Sequence, residues 1–342
     1  MNRRTVMKGA AAVALAAGLA TGAVAQDKTF LTMDSFPAGS TPGQFGIAFT
    51  QMVQKHLPLE IQVSVGKPAT KSAIDAAQGK VDLFLTAPTI NQFMQTRTAM
   101  FKKVEQAPEL NKNLRGFINY PLGPYHIVVY ADSGINSIAD FKGKKVFLGP
   151  PAGAATTIAT QIVTGASGLV PGEDFDVVKF DWKSAETAFI DRQMDVYIGP
   201  TTVPSPSIQQ FALVSPIRIL GLTEFDFKTA PIKKALSYPG RTVVDIPNGI
   251  YDNQVNEAPV RSIGSWVGLG SHKDLDADLG YEMMKVFWTH IDEIHQTADW
   301  MKVINRETAL NEMNIPLHLG AYRYYKEAGW DIPDHLIPPG AK

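Results

Sequence analysis

The sequence predicts an α/β protein of two lobes, each built on a mainly parallel sheet. Three observations carry this. At 342 residues the chain is longer than one hydrophobic core usually grows before it divides. Strand, polar loop and helix alternate up to Ala131, and the same alternation restarts at Lys145. Residues 260–271 then read as a strand that crosses back to the first lobe.

The elements follow in order. Phe30–Ser35 is a short strand. Gln44–Leu57 places Phe45, Ala48, Phe49, Met52, Val53 and Leu57 on one helical face. Before it, Ser40-Thr41-Pro42-Gly43 supplies a hydroxyl cap with proline at the first helical position. Glu60–Val65 is the next strand, and Thr70 is expected to cap a helix that ends at Gly79. Val81–Leu85 and His126–Ala131 complete the first series. In the second, Lys145–Leu148 is a strand and Gly149–Ala154 a Gly/Pro loop. A helix follows with Ala155, Ile158, Ala159, Ile162, Val163 and Ala166 at 3.6-residue spacing. Asp176–Phe180 is a strand, Trp182-Lys183-Ser184 a polar loop and Ala185–Met194 a helix. Asp195–Gly199 leads to a helix capped by Ser205, and Arg218–Leu222 closes this half. A long helix is expected from Leu275 to His295, then shorter ones near Ala298–Glu312 and His318–Ala328.

Composition narrows the function. Lys and Arg total 32 against 33 Asp and Glu, a net charge of −1, so the basic excess of a nucleic-acid binder is missing. With 45% hydrophobic and 19% charged residues the chain is an ordinary globular one. It has no cysteine, which excludes disulfides, thiolate catalysis and cysteine-held metals.

Residues 1–25 read as a signal peptide. Arg3, Arg4 and Lys8 precede an alanine-rich apolar stretch, and Ala23-Val24-Ala25 has the small-x-small pattern of a cleavage site. The Arg3-Arg4 pair favours the twin-arginine route over the general one. Cleavage removes three positive charges and takes the net charge from −1 to −4. No later run of 18 apolar residues would anchor the chain, so a free periplasmic protein is expected.

Motifs of catalysis are missing: no Gly-x-Ser-x-Gly elbow, no phosphate loop, no dinucleotide turn and no His-Glu-x-x-His. His290 and His295 stand five apart, on different helix faces, and read as ordinary surface rather than a metal pair. No catalytic residue, cofactor or metal is assigned. What recurs is a polar loop between the carboxyl end of a strand and a helix N-terminus. In open α/β sheets such loops bind ligands, and unpaired N–H groups there favour anions. The candidates are Ser40, Thr41 and Gln44 from the first loop, Thr70 and Lys71 from the second, and Thr89 from the third. The second lobe offers Ala154, Ala155 and Thr156 through their backbone, then Trp182, Ser184, Thr201 and Thr202. Lys71 is the expected cation, so Lys71→Met should weaken binding more than about tenfold, the cost of losing a charged hydrogen bond.

Several stretches resemble a known family. Leu114–Val129 with Ser133–Val146 resembles the hinge and second-lobe start of periplasmic solute-binding proteins. Gly149-Pro150-Pro151-Ala152-Gly153-Ala154-Ala155-Thr156 resembles the Gly-Pro-Pro-x-Ser-Gly-Thr loop of the TAXI family, the receptors of one class of TRAP transporters. The resemblance continues through Gly199–Phe211, Ile246–Tyr251, Pro316–Ala321 and Tyr324–Gly329. It implies a type II periplasmic binding protein, with lobe I formed by residues 26–135 plus 255–342 and lobe II by residues 136–254. It implies a monomeric, non-enzymatic receptor that holds a small organic acid or amino acid between its lobes and delivers it to the membrane subunits of a TRAP permease. A receptor for an ATP-driven (ABC) importer, or an exported enzyme on the same fold, is the alternative. The family's polar loops are replaced here by Gly43-Gln44-Phe45-Gly46, Lys67-Pro68-Ala69-Thr70 and Ala87-Pro88-Thr89. Phe45 and Ala87 thereby join the candidate site and lean it toward a ligand less polar than glutamate, such as a monocarboxylate or branched 2-oxo acid.

Overall fold

The computed structural model describes residues 28–151 and 153–341; the expected signal peptide lies outside them. Lobe I opens with β1 (Thr29–Ser35), α1 (Thr41–His56), β2 (Leu59–Val65), α2 (Ala69–Ala77), β3 (Leu83–Thr86), α3 (Pro88–Gln95) and α4 (Ala107–Asn111). The 17-residue β4 (Leu114–Tyr130) then crosses to lobe II. Lobe II holds β5 (Lys145–Phe147), α5 (Ala154–Ser167), β6 (Asp176–Val177), α6 (Trp182–Ile190) and β7 (Val196–Pro200). It continues with α7 (Pro206–Val214), β8 (Ile217–Leu220), α8 (Ala230–Leu236) and β9 (Val243–Ile246). The long β10 (Val260–His272) returns to lobe I, where α9 (Ala277–Thr289), α10 (Ile291–Thr297) and α11 (Leu319–Glu327) close the chain.

Strand order in lobe I is β2-β1-β3-β10-β4, with β1 parallel to β2 and β3 and β10 antiparallel between β3 and β4. In lobe II β4 continues beside β7 and β8, and β5 pairs in parallel with β6 and β7. This is the two-lobed type II periplasmic binding protein fold expected from the sequence. Both shared strands change partners at the same level. Up to Pro124, β4 pairs with β10; from Tyr125 it pairs with β7. Along β10, Ile263 still pairs with β9, whereas Gly268 faces Thr86 of β3. Gly123 has φ +120°, and a Cβ there would lie 2.1 Å from the Thr201 carbonyl oxygen, so glycine alone fits the crossing.

Packing buries the helix faces that the 3.6-residue spacing predicts. The helical face read in α1 is buried: Phe45, Phe49 and Val53 have no exposed surface. Ile158, Ala159, Ile162 and Val163 of α5 fill one core of lobe II, and Phe189, Tyr197 and Phe211 fill another across the sheet. Elsewhere the structure differs. The expected 275–295 helix breaks at His290, which leaves helical geometry where its ring stacks 3.7 Å from that of His56. The helix expected near 298–312 is a 3-10 turn, Asp299–Val303, followed by turns. There Asn305 Oδ1 accepts from the backbone N–H groups of Glu307 and Thr308, a local bond that competes with the helix. None of the described helices is long and apolar enough to cross a membrane.

Candidate functional site

A cavity of about 250 Å³ lies between the lobes, at the carboxyl ends of the parallel strands. Its lobe I wall is the β1–α1 loop with the start of α1, the β2–α2 loop, and Ala87 and Ile90 at α3. Its lobe II wall is the β5–α5 loop, the start of α6, Tyr197 and Thr201 of and after β7, and the start of α7. Leu122 and Tyr125 of β4 and Ser265 and Val267 of β10 form the floor where the strands cross, joined by Arg241.

The local sequence sets each wall. Ser40, rather than Thr41, caps α1: its Oγ accepts from Gly43 N at 3.2 Å and donates to the Pro37 carbonyl at 2.6 Å. The hydroxyl is therefore engaged in holding the loop. Helix α2 begins after Pro68, which has no side chain to cap it, and Thr70 sits inside its first turn instead of capping it. The three residues read as a polar loop, Trp182, Lys183 and Ser184, are the first turn of α6, because Asp181 caps it through the Ser184 N–H at 2.8 Å. Those bonds from Ser184 hold the Asp181 carboxyl below its ordinary range. Helix α5 differs: its N-cap is Gly153, which brings no side-chain acceptor. The first-turn N–H groups at Ala154 and Ala155 are left for a ligand or solvent at the cavity wall.

Of the candidates from the sequence, Ser40, Thr41, Thr70, Ala87, Ala154, Ala155, Trp182 and Thr201 line the cavity. The rest do not. Phe45 is core, its ring 4.8 Å from that of Tyr120. Gln44 Oε1 accepts from the Trp300 indole at 3.3 Å. Thr156 Oγ1 donates to the Pro150 carbonyl at 2.6 Å and closes the loop, with no surface toward the cavity. Ser184 is used by the Asp181 cap, and Thr202 Oγ1 bonds the Pro204 carbonyl at 3.0 Å. Thr89 is buried behind the wall, donating to the Pro239 carbonyl at 2.9 Å. Lys71 is exposed and is not among the lining residues. Pro68 takes the N-cap position of α2 two residues before the expected Thr70, which places Lys71 inside the helix with its side chain in solvent.

Two other cations reach the cavity. Lys67 lines it, but its Nζ stands 2.6 Å from Asp34 Oδ2 and 3.1 Å from Asp75 Oδ2. The hydrogen bond it donates to Asp34, against some desolvation, raises its pKa. Arg241 is 7% exposed and has no salt bridge among the described residues. Its Nε donates to Thr89 Oγ1 at 3.0 Å, and its guanidinium lies 5.5 Å from the centre of the Tyr125 ring. Its Nη1 is buried without a hydrogen-bond partner among the described residues, as is the Tyr125 hydroxyl. Burial raises the Tyr125 pKa, opposed by the nearby Arg241 charge. Sequence reasoning missed Arg241. The available signal was its place directly after Pro239-Gly240, as the one charge between Lys234 and Asp245.

Behind Tyr125, His126 is fully buried, with Nε2 2.7 Å from the Tyr251 hydroxyl and Nδ1 3.1 Å from the Pro124 carbonyl oxygen. Tyr251 Oη accepts in turn from Ser205 N, at the cavity end of α7. Burial pushes the His126 imidazole down to about 4, so it is neutral near pH 7.

Residues 52–329 match the model of the NMT1-like family. The chain belongs to the NMT1-like family. Solved structures resemble it at low identity. The alkanesulfonate-binding protein SsuA from Xanthomonas axonopodis pv. citri, bound to MOPS, is 13% identical over 92% of this chain and 98% of that one, with a TM-score of 0.46. A TRAP periplasmic solute-binding protein from Ralstonia eutropha H16 with bound (S)-2-acetolactate is 10% identical over 90% and 87%, with a TM-score of 0.46. The periplasmic ectoine-binding protein of the TeaABC TRAP transporter of Halomonas elongata is 12% identical over 87% and 90%, with a TM-score of 0.44.

Proposed function

We propose that this member of the NMT1-like family is an exported, non-enzymatic solute receptor that binds one small organic monoanion between its lobes. The observation that carries the reading is Arg241, a buried guanidinium at the cavity with an unpartnered nitrogen and no carboxylate of its own. Burying an unpaired charge costs several kcal/mol, and an anion in the cavity would offset it. The α5 N-terminus adds N–H donors of the same sign.

The charge count argues for a monoanion. Lys67 is already neutralised by two carboxylates, the lining Asp181 is engaged by Ser184, and the lining Glu186 is engaged by Ser207 and Lys183. Lys71 is not part of the wall, so among the described lining residues Arg241 is the cation left for the ligand. Phe36, Ile90, Leu122, Trp182, Ile208 and Val267 supply apolar walls for the rest of it. A branched or aromatic 2-oxo acid or monocarboxylate suits this lining better than glutamate or a dicarboxylate. The lobes would close over the ligand by bending where β4 and β10 change partners, near Leu122–Pro124 and Gly264–Trp266, and the closed form would be read by a permease. The Gly-Pro-Pro loop and the closing Pro316–Ala321 segment favour a TRAP-type, ion-gradient-driven permease of the TAXI class over an ATP-driven one.

Calorimetry against a matched panel tests this. A hydrophobic 2-oxo monocarboxylate should bind at one per chain and at least tenfold tighter than glutamate or 2-oxoglutarate, with a smaller radius of gyration on saturation. Glutamate binding a hundredfold tighter, or appearance of a product on incubation, would reject it. Uptake by cells carrying the cognate permease, abolished by an ionophore at constant ATP, would support the TRAP arm.

A further inference from the structure

Outside the cavity, on lobe I, His56, His290 and Glu293 bring three metal-ligating side chains together from the end of α1, the end of α9 and the first turn of α10. We propose that they form a surface binding site for a divalent transition-metal ion of the zinc or nickel type. The three ligand atoms lie within 4.8 Å of one another. Glu293 Oε1 is 2.9 Å from His56 Nε2 and 3.4 Å from His290 Nδ1. Donors about 2.0–2.1 Å from a tetrahedral ion stand about 3.3–3.5 Å apart, so the contacts to Glu293 are already near the required spacing and the imidazoles must reorient. The two imidazoles share one carboxylate oxygen, while Lys55 Nζ takes the other at 2.9 Å. That division leaves Oε1 as a single-oxygen ligand. The rings are stacked, 3.7 Å apart and 15° from parallel. To converge on one ion, one ring must turn about its Cβ–Cγ bond, and the open side permits it: the three side chains are 22–34% exposed. The same opening admits water as a fourth ligand.

Two imidazoles with one carboxylate are the donor set of borderline ions such as Zn²⁺ and Ni²⁺, and do not suit Ca²⁺ or Mg²⁺, which take oxygen. None of the three residues lines the cavity, so the site is independent of the solute reading. A bound ion would join α1 to the α9–α10 corner, where the expected continuous helix breaks. From the sequence, His290 and His295 read as ordinary surface rather than a metal pair, and His295 Nε2 indeed bonds the Ile304 carbonyl oxygen at 2.8 Å. The partner of His290 is His56, far away in the chain.

The test uses the chelator-treated chain without a histidine tag, with Zn²⁺ followed by calorimetry and Co²⁺ by its visible absorption. One Zn²⁺ per chain should bind at micromolar concentration, and Co²⁺ should give the bands of a four- or five-coordinate site. Loss of a ligand should cost at least the roughly 10–100-fold that loss of an outer-shell partner costs. His56→Gln and His290→Gln should each do so, whereas His295→Gln and His335→Gln should not. Lys55→Met should leave binding unchanged or tighter. No binding below millimolar metal, or one-to-one binding that survives both His56→Gln and His290→Gln, would overturn the proposal. The two variants alter partly exposed residues at the ends of different helices, so either one keeps the test valid if the other fails to fold.

Discussion

The lobe I loops and the Tyr238–Thr242 strap face the same cavity but treat charge in opposite ways. In the loops every charged or capping group is matched locally. Ser40 caps its own helix, and Lys67 lies between Asp34 and Asp75. The strap is tied down by others: Pro239 accepts from Thr89, Gly240 N donates to Glu312 Oε2 at 2.6 Å, and Tyr238 packs edge-on against Phe93 at 4.9 Å. Arg241 in its middle is held by Nε alone and leaves a nitrogen unmatched. A cation that is locally neutralised shapes a wall, whereas a fixed cation with spare donors is available to a ligand.

The largest expected effect is therefore at Arg241. Truncating one partner of a desolvated charge pair costs about 2–5 kcal/mol, or roughly thirty- to several-thousand-fold in Kd. Arg241→Met should lose binding of a monoanion by that amount in calorimetry. The ligand-free melting temperature should hold or rise, because an unpaired buried charge is removed. Retained affinity with a normal fold would break the comparison at its centre.

Lys67→Met should do the reverse. It would leave Asp34, 1% exposed and with Oδ1 already unpartnered, as a buried charge without its cation. Breaking such a pair destabilises by about 3 kcal/mol, the lower end of the usual range since Lys67 is 27% exposed. Urea unfolding measures the loss, while the affinity of the folded fraction should change far less. A variant of normal stability that fails to bind would move the ligand's cation to Lys67.

How much of this was legible follows from where the information lies. Helix faces with a 3.6-residue period were readable, because burial of Phe45, Phe49 and Val53 or of Ile158 and Ile162 needs only local spacing. The first half of β4 was not assigned as a strand. Buried on both faces, it shows no alternation, and Pro121, Gly123 and Pro124 interrupt it. The missing start of α6 is a capping matter: Asp181 begins the helix one residue before Trp182. Its place after Pro239-Gly240 marks Arg241 only weakly, and nothing local marks the His56–His290 pair, because what singles them out is a contact across the fold. Arg241 is defined by Thr89 and Tyr125, more than 100 positions earlier.

The wall behind the cavity should respond to pH. His126 titrates near 4 when folded and near 6.5 when unfolded, so the unfolded state binds more protons between those values. Stability is thus full above about pH 6.5 and falls as pH drops toward 4, by up to about 3 kcal/mol from this residue. Protonation also ends acceptance at His126 Nε2 from the Tyr251 hydroxyl, which supports Ser205 at the cavity. Urea midpoints from pH 7.5 to 4 should decline, and His126→Gln should flatten part of the decline. An equal slope in the variant would place the pH response elsewhere.

The smallest effect sharpens the comparison most, because the sequence assigned the ligand's cation to Lys71. In the structure Lys71 is exposed, makes no salt bridge among the described residues and is not part of the cavity wall. A solvated charge acts on the ligand only through water and salt, which screen it within about 8 Å at physiological ionic strength. Lys71→Met should change stability and binding by no more than about 0.5 kcal/mol, roughly twofold in Kd. Arg241→Met measured beside it should differ by at least an order of magnitude, and raising the salt should shrink only the Lys71 effect. A tenfold loss on Lys71→Met would mean that closure carries α2 onto the ligand, and that the loops of lobe I as well as the strap supply its charge partner.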